Sequence, residues 1–283
     1  MKKNCIVYGN CQITPIREYL MSSRSFNNIY TMMEVPPVHL CNREKGLEKQ
    51  YMDLLSHCDL FIYQPVSQAF SPYLSTDYIL NELPHTCICI SFPVSYFTGY
   101  YPQNFSGKII SYSEKESKKL LYADKNIIKL LNEGKSKEEI ISILSDDNFY
   151  SFYDVKANLD ATLQELRSRE KILDITLDNF IEQNYKNINL FYTVNHPSYY
   201  VTRYLAMKIL DKLGLPKNEI SHITLHDLYF TGLMEPIYPS VSKHLNLSFI
   251  NSSNEYFNLN NVPLKFNDYI DKSIDIHMHN EIL

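Results

Sequence analysis

Short apolar runs separated by stretches of helical spacing fill the first third of the chain. Lys2–Tyr8 carries the run Ile6-Val7 and reads as a first strand. Thr14–Met21 has helical spacing, and Pro15 is tolerated in a first turn, where its missing N–H costs nothing. Asn28–Met32 reads as a second strand. Gly46–Ser56 reads as a helix with Leu47, Tyr51, Leu54 and Leu55 on one side. Asp59–Tyr63 is a buried strand around Leu60-Phe61-Ile62, Asp77–Leu83 a short helix and His85–Ser91 a further strand. Strands that alternate with helices predict parallel pairing through crossover connections.

The pattern changes in the middle. Ser113–Glu116 and Ser136–Glu139 both match the capping box, in which Ser and Glu satisfy each other's backbone donors at a helix start. From Asp154 to Tyr185, the positions Val155, Leu159, Leu163, Leu166, Leu173, Leu177 and Phe180 form one stripe and predict a single long amphipathic helix. Residues 112–185 therefore read as a helical insertion or cap, either solvated on its charged faces or acting as a lid. The alternating pattern resumes with a strand at Asn187–Thr193 and a helix over Ser198–Leu213, started by Pro197 and stopped at Gly214. The expected fold is α/β, with a mostly parallel central sheet flanked by helices. Residues 1–111 and 186–283 would form the core that carries the site, and 112–185 the insertion.

Composition narrows the function classes. The 283 residues are 45% hydrophobic and 21% charged, as in an ordinary globular chain. A net charge of -5 argues against general nucleic-acid binding, which needs a broad cationic face. The first apolar run ends at Tyr8-Gly9, too short for a signal segment, and no run approaches a membrane span. A cytoplasmic protein is expected, with peripheral association left open. The cysteines at 5, 11, 41, 58, 87 and 89 contain no C-x-x-C pair, so zinc-ribbon and thioredoxin-like sites are not expected. Cys87 and Cys89 read as core thiols on one face of a strand. Asp275, His277 and His279 would alternate along an extended tail, but terminal segments are usually solvated and no metal is expected.

The candidate chemistry begins at Tyr8-Gly9-Asn10-Cys11-Gln12, where a strand opens into a helix at the carboxyl edge of a sheet. Cysteine is the best intrinsic nucleophile at neutral pH, and a helix N-terminus favours its thiolate. Gly9 allows the turn, and the amides of Asn10 and Gln12 suit an oxyanion or a ligand carbonyl. Cys11 could equally be an inert turn filler. His196, in Asn195-His196-Pro197, falls at a second strand-to-helix junction and is the candidate base; His85, His222, His226 and His244 compete for that role. The loop Phe92–Pro102, with Tyr100, either stacks on a sugar or adenine or packs down onto its own domain. Glu235 either orients a histidine, accepts from a sugar hydroxyl or is a surface charge.

These blocks together resemble the WcbI family of polysaccharide-biosynthesis enzymes. The resemblance rests on Tyr8-Gly9-Asn10-Cys11-Gln12, Gln64-Pro65, Phe92-Pro93 with Phe97, Gly99, Tyr100 and Pro102, Asn195-His196-Pro197, and Tyr238-Pro239. It implies an α/β fold distantly similar to SGNH-type esterases, with Cys11 where those esterases carry a catalytic serine. It also implies coenzyme A binding and acetylation of a sugar hydroxyl in bacterial capsular polysaccharide synthesis. The acceptor would be a sugar, nucleotide sugar or polysaccharide. On that footing Cys11 and His196 are the catalytic candidates. Gly9, Asn10, Gln12, Gln64, Asn195, Tyr100 and Glu235 are candidates for the oxyanion or substrate. Arg17 and Arg203, each on a helix after a key turn, are the candidate cations for the phosphates of CoA. Either Cys11 accepts the acetyl group before the sugar does, or His196 activates the sugar directly and Cys11 lines the pocket. A cysteine-dependent sugar esterase or deacetylase, and a non-catalytic CoA- or glycan-binding component, remain open alternatives.

Overall fold

The computed structural model describes residues 2–105, 122–221, 230–250, 257–259 and 261–278. The chain divides into two compact units. The first is built from Met1–Ser95, Leu166–Asn179 and Tyr199–His226; the second from Tyr96–Glu165, Phe180–Ser198 and Asp227–Leu283. The stretch 112–185 is shared between them, since 166–179 falls in the first unit and the remainder in the second.

The first unit holds a four-stranded parallel sheet of β1 (Lys3–Tyr8), β2 (Tyr30–Met33), β3 (Leu60–Tyr63) and β4 (Ile88–Ser91), in the order β2-β1-β3-β4. The fold class read from the sequence is therefore the one observed. Register brings Ile6 beside Phe61 and Phe61 beside Cys89. Ile6, Tyr8 and Phe61 pack in one cluster with Leu55 of α3 (Lys49–Leu55) and Ile79 of α4 (Thr76–Asn81). β1 and β3 are buried along nearly their whole length, as strands covered on both faces must be. α1 (Ile13–Ser22) packs against α9 (Tyr199–Lys212), which ends before Gly214 at φ +69°.

Several elements differ from their sequence expectation. The second strand begins at Tyr30, because Asn28 and Ile29 belong to α2 (Arg24–Ile29), capped by Ser23 Oγ accepting from the Phe26 N–H. The fourth strand begins at Ile88, because Cys87 N–H turns back to the Pro84 carbonyl. Cys89 is exposed and Cys87 half-buried, so neither is a core thiol. The long helix is two helices, α7 (Phe152–Glu170) and α8 (Asp178–Asn184). The break is held by specific bonds. Glu170 Oε2 accepts from the N–H groups of Leu177 (3.0 Å) and Asp178 (3.1 Å). Asp174 Oδ2 accepts from Ser91 N (2.9 Å) and Oγ (2.8 Å), while Ile175 N–H donates to the Ser91 carbonyl. These bonds pin residues 174–175 to the end of β4 and satisfy backbone groups that a continuous helix would have paired internally.

The second unit contains α5 (Lys125–Asn132), α6 (Lys137–Leu144), α10 (Pro239–Leu245) and α11 (Phe266–Met278). Two antiparallel hairpins accompany them, β5 (Phe191–Thr193) with β6 (His196–Pro197), and β7 (Phe257–Leu259) with β8 (Val262–Leu264). The capping box at Ser136 and Glu139 forms with both reciprocal bonds. The one at Ser113–Glu116 lies outside the described residues, as do His222, His226 and His279. The tail is helical through Met278, so Asp275 and His277 do not alternate along an extended segment. Residues 187–193 do not extend the parallel sheet, and His196 sits in an antiparallel hairpin rather than at a parallel strand edge. Among the described residues, no helix is long and apolar enough to cross a membrane.

Candidate functional site

The chain leaves β1 for β2 on one side and places β3 on the other. The sheet thus reverses its winding between β1 and β3. Crevices that bind ligands in open α/β sheets lie at the carboxyl ends of strands at such a reversal. The turn after β1 carries Gly9, Asn10, Cys11 and Gln12, and the segment after β3 begins with Gln64.

The two glutamines clamp this turn. Gln64 Oε1 accepts from Asn10 N–H (3.1 Å), and Gln64 Nε2 donates to Gln12 Oε1 (2.9 Å) and the Pro93 carbonyl (3.3 Å). Gln12 Oε1 also accepts from Ser95 N–H (2.9 Å), and Gln12 Nε2 donates to the Ser95 carbonyl (2.8 Å). Both side chains are 1% exposed. Their amides are spent on the protein, so they position the turn rather than serve an oxyanion, which corrects the sequence expectation. Gly9 is required by this arrangement, because a Cβ there would lie 2.4 Å from Gln64 Oε1. Asn10 Oδ1 accepts from Gln12 N–H (2.9 Å), whereas its Nδ2 has no partner among the described residues. That amide is the donor left over at the turn.

Cys11 is half-buried, two residues before α1. Burial pushes its thiol pKa up, and the N–H groups of Cys11 and Gln12 offset this only in part. Desolvation therefore outweighs the helix end, contrary to the thiolate expected from the sequence. A base must take the proton for the sulfur to attack. Arg17 is turned into the protein. It is 7% exposed and donates through Nη2 to the carbonyls of Val7 (2.8 Å) and Val35 (2.6 Å), tying α1 to the end of β1. Arg203, half-buried on α9, donates through Nε to the Ser221 carbonyl (3.1 Å).

A groove of about 460 Å³ in the same unit was not legible in the sequence. It is lined by Pro36, Leu40, Cys41, Asn42, Lys45, Gly46, Leu47, Glu48 and Tyr51. The loop that forms it is tied to the turn after β1 by Val38 N–H donating to the Gly9 carbonyl (2.9 Å). Its volume suits a small-molecule ligand. Leu40 is exposed at its edge, and Lys45 supplies a cation. Pro36-Pro37 after the second strand was the one available signal, since each proline holds the residue before it extended.

In the second unit, His196 stacks on Phe230 with ring centroids 4.9 Å apart. Its Nδ1 is buried and has no hydrogen-bond partner among the described residues. Burial pulls its pKa down to about 4, so the imidazole is neutral at neutral pH and able to accept a proton. Asn195, in the turn before it, accepts from Thr193 Oγ1 (3.2 Å). Glu235 does not orient His196. Its carboxylate accepts from Asn104 Nδ2 (2.9 Å) beside a small cavity of about 20 Å³ that Gln103, Asp124, Tyr269 and His277 also line. Burial pushes Glu235 up to about 8, and Asp124 in the same cluster up to about 6. Tyr100 is fully buried, with its hydroxyl donating to the carbonyls of Tyr185 (2.5 Å) and Ile188 (3.2 Å). Phe97 and Tyr101 are buried beside it. The aromatic loop therefore packs its own unit and offers no ring of Phe97, Tyr100 or Tyr101 to a sugar.

The family model described as polysaccharide biosynthesis enzyme WcbI matches residues 4–218. The chain belongs to the WcbI family. A solved WcbI structure, described as a novel polysaccharide biosynthesis enzyme, superposes with a TM-score of 0.82 at 21% identity, over 99% of this chain and 91% of that one. That structure is described as the native protein without a disulfide bond between CoA and one of its cysteines. At this identity the likeness shows the fold. A ZnuA structure (TM-score 0.23, 13% identity, 76% of this chain and 80% of that one) carries no argument. Nor does a metal-free mutant of a periplasmic metal-binding protein from Candidatus Liberibacter asiaticus (TM-score 0.24, 10% identity, 98% of each chain). No curated protein matches the chain in sequence. Family membership makes the chain a polysaccharide-biosynthesis enzyme and leaves the reaction to be argued from its residues.

Proposed function

We propose that this WcbI-family enzyme transfers an acetyl group from acetyl-CoA to a hydroxyl of a sugar or polysaccharide acceptor. The observation that carries the reading is Cys11, presented at the sheet's reversal point on a turn that two buried glutamines hold rigid. The family neighbour's CoA–cysteine relation supports the same assignment. In the covalent route, the Cys11 sulfur attacks the thioester carbonyl, its proton goes to a base, and CoA leaves as a thiol. The acceptor hydroxyl then attacks the acetyl-cysteine, losing its proton to that base, which returns a proton to the Cys11 sulfur and restores the thiol. Asn10 Nδ2 would receive the oxyanion in both steps. The groove beside Lys45 and Tyr51 is the proposed seat of part of the CoA chain, with Lys45 and Arg203 as candidate cations for its phosphates.

One observation favours a direct route instead. The raised Cys11 pKa leaves the thiol protonated at neutral pH. A base would then act on the acceptor hydroxyl directly, the sugar oxygen would attack the CoA thioester, and Cys11 would line the CoA pocket. Calorimetric titration with CoA and acetyl-CoA tests the shared part of the reading, and absence of binding to both ligands would remove it. Incubation with acetyl-CoA followed by mass spectrometry separates the routes: acetyl on the peptide containing Cys11 supports the covalent one. Near-normal turnover by Cys11→Ser would sink that route and leave the direct one.

A further inference from the structure

Residues 148–154 read Asn-Phe-Tyr-Ser-Phe-Tyr-Asp, with four aromatic rings in five consecutive positions of the second unit. The rings separate into two pairs. Phe149 and Tyr150 pack on one another at 4.9 Å and each on Tyr238 at 5.7 Å. The Tyr150 hydroxyl accepts from Asn126 Nδ2 (2.6 Å). Phe152 and Tyr153 are 51% and 82% exposed at the first turn of α7. The Phe152 ring meets Tyr153 edge-on at 5.8 Å and His244 of α10 edge-on at 6.1 Å.

The exposed pair is held on rigid backbone. Ser151 Oγ donates to Asp154 Oδ2 (2.7 Å) and accepts from Asp154 N–H (3.2 Å), fixing the helix start. Val155, Leu159 and Leu163 bury the helix behind it. The backbone beneath the rings is thus already ordered before a ligand arrives, which lowers the entropic cost of binding. Exposing two adjacent large rings gains nothing in folding, and such patches mark binding surfaces. Neither the Tyr153 hydroxyl nor a His244 ring nitrogen has a hydrogen-bond partner among the described residues.

We propose that Phe152, Tyr153 and His244 form a docking platform for a saccharide chain, which delivers the acceptor polymer. The inference rests on the polysaccharide part of the reading above and is independent of the thiol chemistry. The C–H faces of sugar rings pack on electron-rich aromatic faces, while the hydroxyls at their edges need a polar rim. Such a rim is present. Asn148, whose Oδ1 accepts from Lys243 Nζ (2.9 Å), stands beside exposed Asp146 and Asp147, and Asp154 lies on the other side. Lys156 is paired with Asp160. The neighbourhood is carboxylate-rich, so an anionic lipid surface would be repelled where a hydroxyl-rich ligand is accepted.

The test is native affinity electrophoresis through gels containing dextran, galactomannan or hydroxyethyl cellulose, which are uncharged polymers of different sugars and linkages. The wild-type chain should be retarded by at least one. Phe152→Ala/Tyr153→Ala should weaken that retardation by about tenfold or more, with its thermal midpoint and CoA titration unchanged. Wild-type mobility unaffected by all three polymers, or equal retardation of the double variant, overturns the proposal. So does ring-dependent binding to anionic phospholipid vesicles or to another protein in place of the polymers. Loss of CoA binding with retardation intact would instead count against the acyl-transfer reading alone.

Discussion

A single buried carboxyl illustrates how much residue-scale behaviour depends on surroundings. Glu235 is 6% exposed, and burial raises its pKa to about 8 with the Asp124 charge adding to the effect. The folded chain therefore holds a proton that the unfolded chain releases near the ordinary carboxylate value. Stability falls as pH rises from that value to about 8, then levels off. Glu235→Gln keeps an oxygen for Asn104 and removes the ionisation. Thermal melts of both chains across this range should diverge, with the variant gaining up to about 1.4 kcal/mol per pH unit. Asp124 and Glu170 have raised values too, so the difference between the two chains isolates Glu235. Parallel melts up to pH 8 would show instead that the carboxyl is ordinary. The role of Glu235 was not legible in the sequence. Its partner Asn104 lies 131 positions away, and nothing local distinguishes a buried carboxylate from a surface one. The turn that carries Cys11 was legible because it is local: Gly9, Asn10 and Gln12 are its immediate neighbours.

At the element scale, the turn after β1 depends on shape and α1 on a buried cation. Gly9→Ala would drive a Cβ against Gln64 Oε1, which cannot retreat without losing its bond to Asn10 N–H. A loss of about 1–3 kcal/mol in urea denaturation is expected, as for overpacked interior sites, together with weaker CoA binding. Unchanged CoA affinity would show that the clamp does not shape the pocket. Arg17→Ala separates structure from ligand binding in the opposite sense. It strips donors from two buried carbonyls, so stability should fall by about 1–3 kcal/mol while the folded protein binds CoA as before. Loss of CoA affinity at full folding would return Arg17 to the binding site. Helix and strand types were largely legible here because apolar spacing is local. The joint at residues 171–177 was not, because the stripe from Val155 to Phe180 is compatible with either one helix or two. What breaks the helix is a set of bonds between Asp174 and Ser91, 83 positions apart.

At the scale of the whole molecule, the parallel sheet was foreseen and the division into two units was not. Both units are assembled from separated segments, and contacts between distant segments leave no periodic trace. The same scale governs the response to ligand. A ligand that binds only the folded chain stabilises it by RT ln(1 + [L]/Kd), about 2.7 kcal/mol at a hundredfold excess over Kd. CoA and acetyl-CoA should therefore raise the melting temperature by several degrees, increasingly with concentration. Cys11→Ser should retain that rise if binding is carried by the groove and cations, since one sulfur contributes little contact area. It should nevertheless lose the acetyl adduct if the covalent route operates. Adding acceptor then decides the fate of the acyl group. Transfer predicts CoA release that depends on the sugar and acetate that stays bonded to it. Hydrolysis predicts free acetate whether or not a sugar is present, because the same nucleophile, base and oxyanion donors serve both reactions and only the attacking oxygen differs.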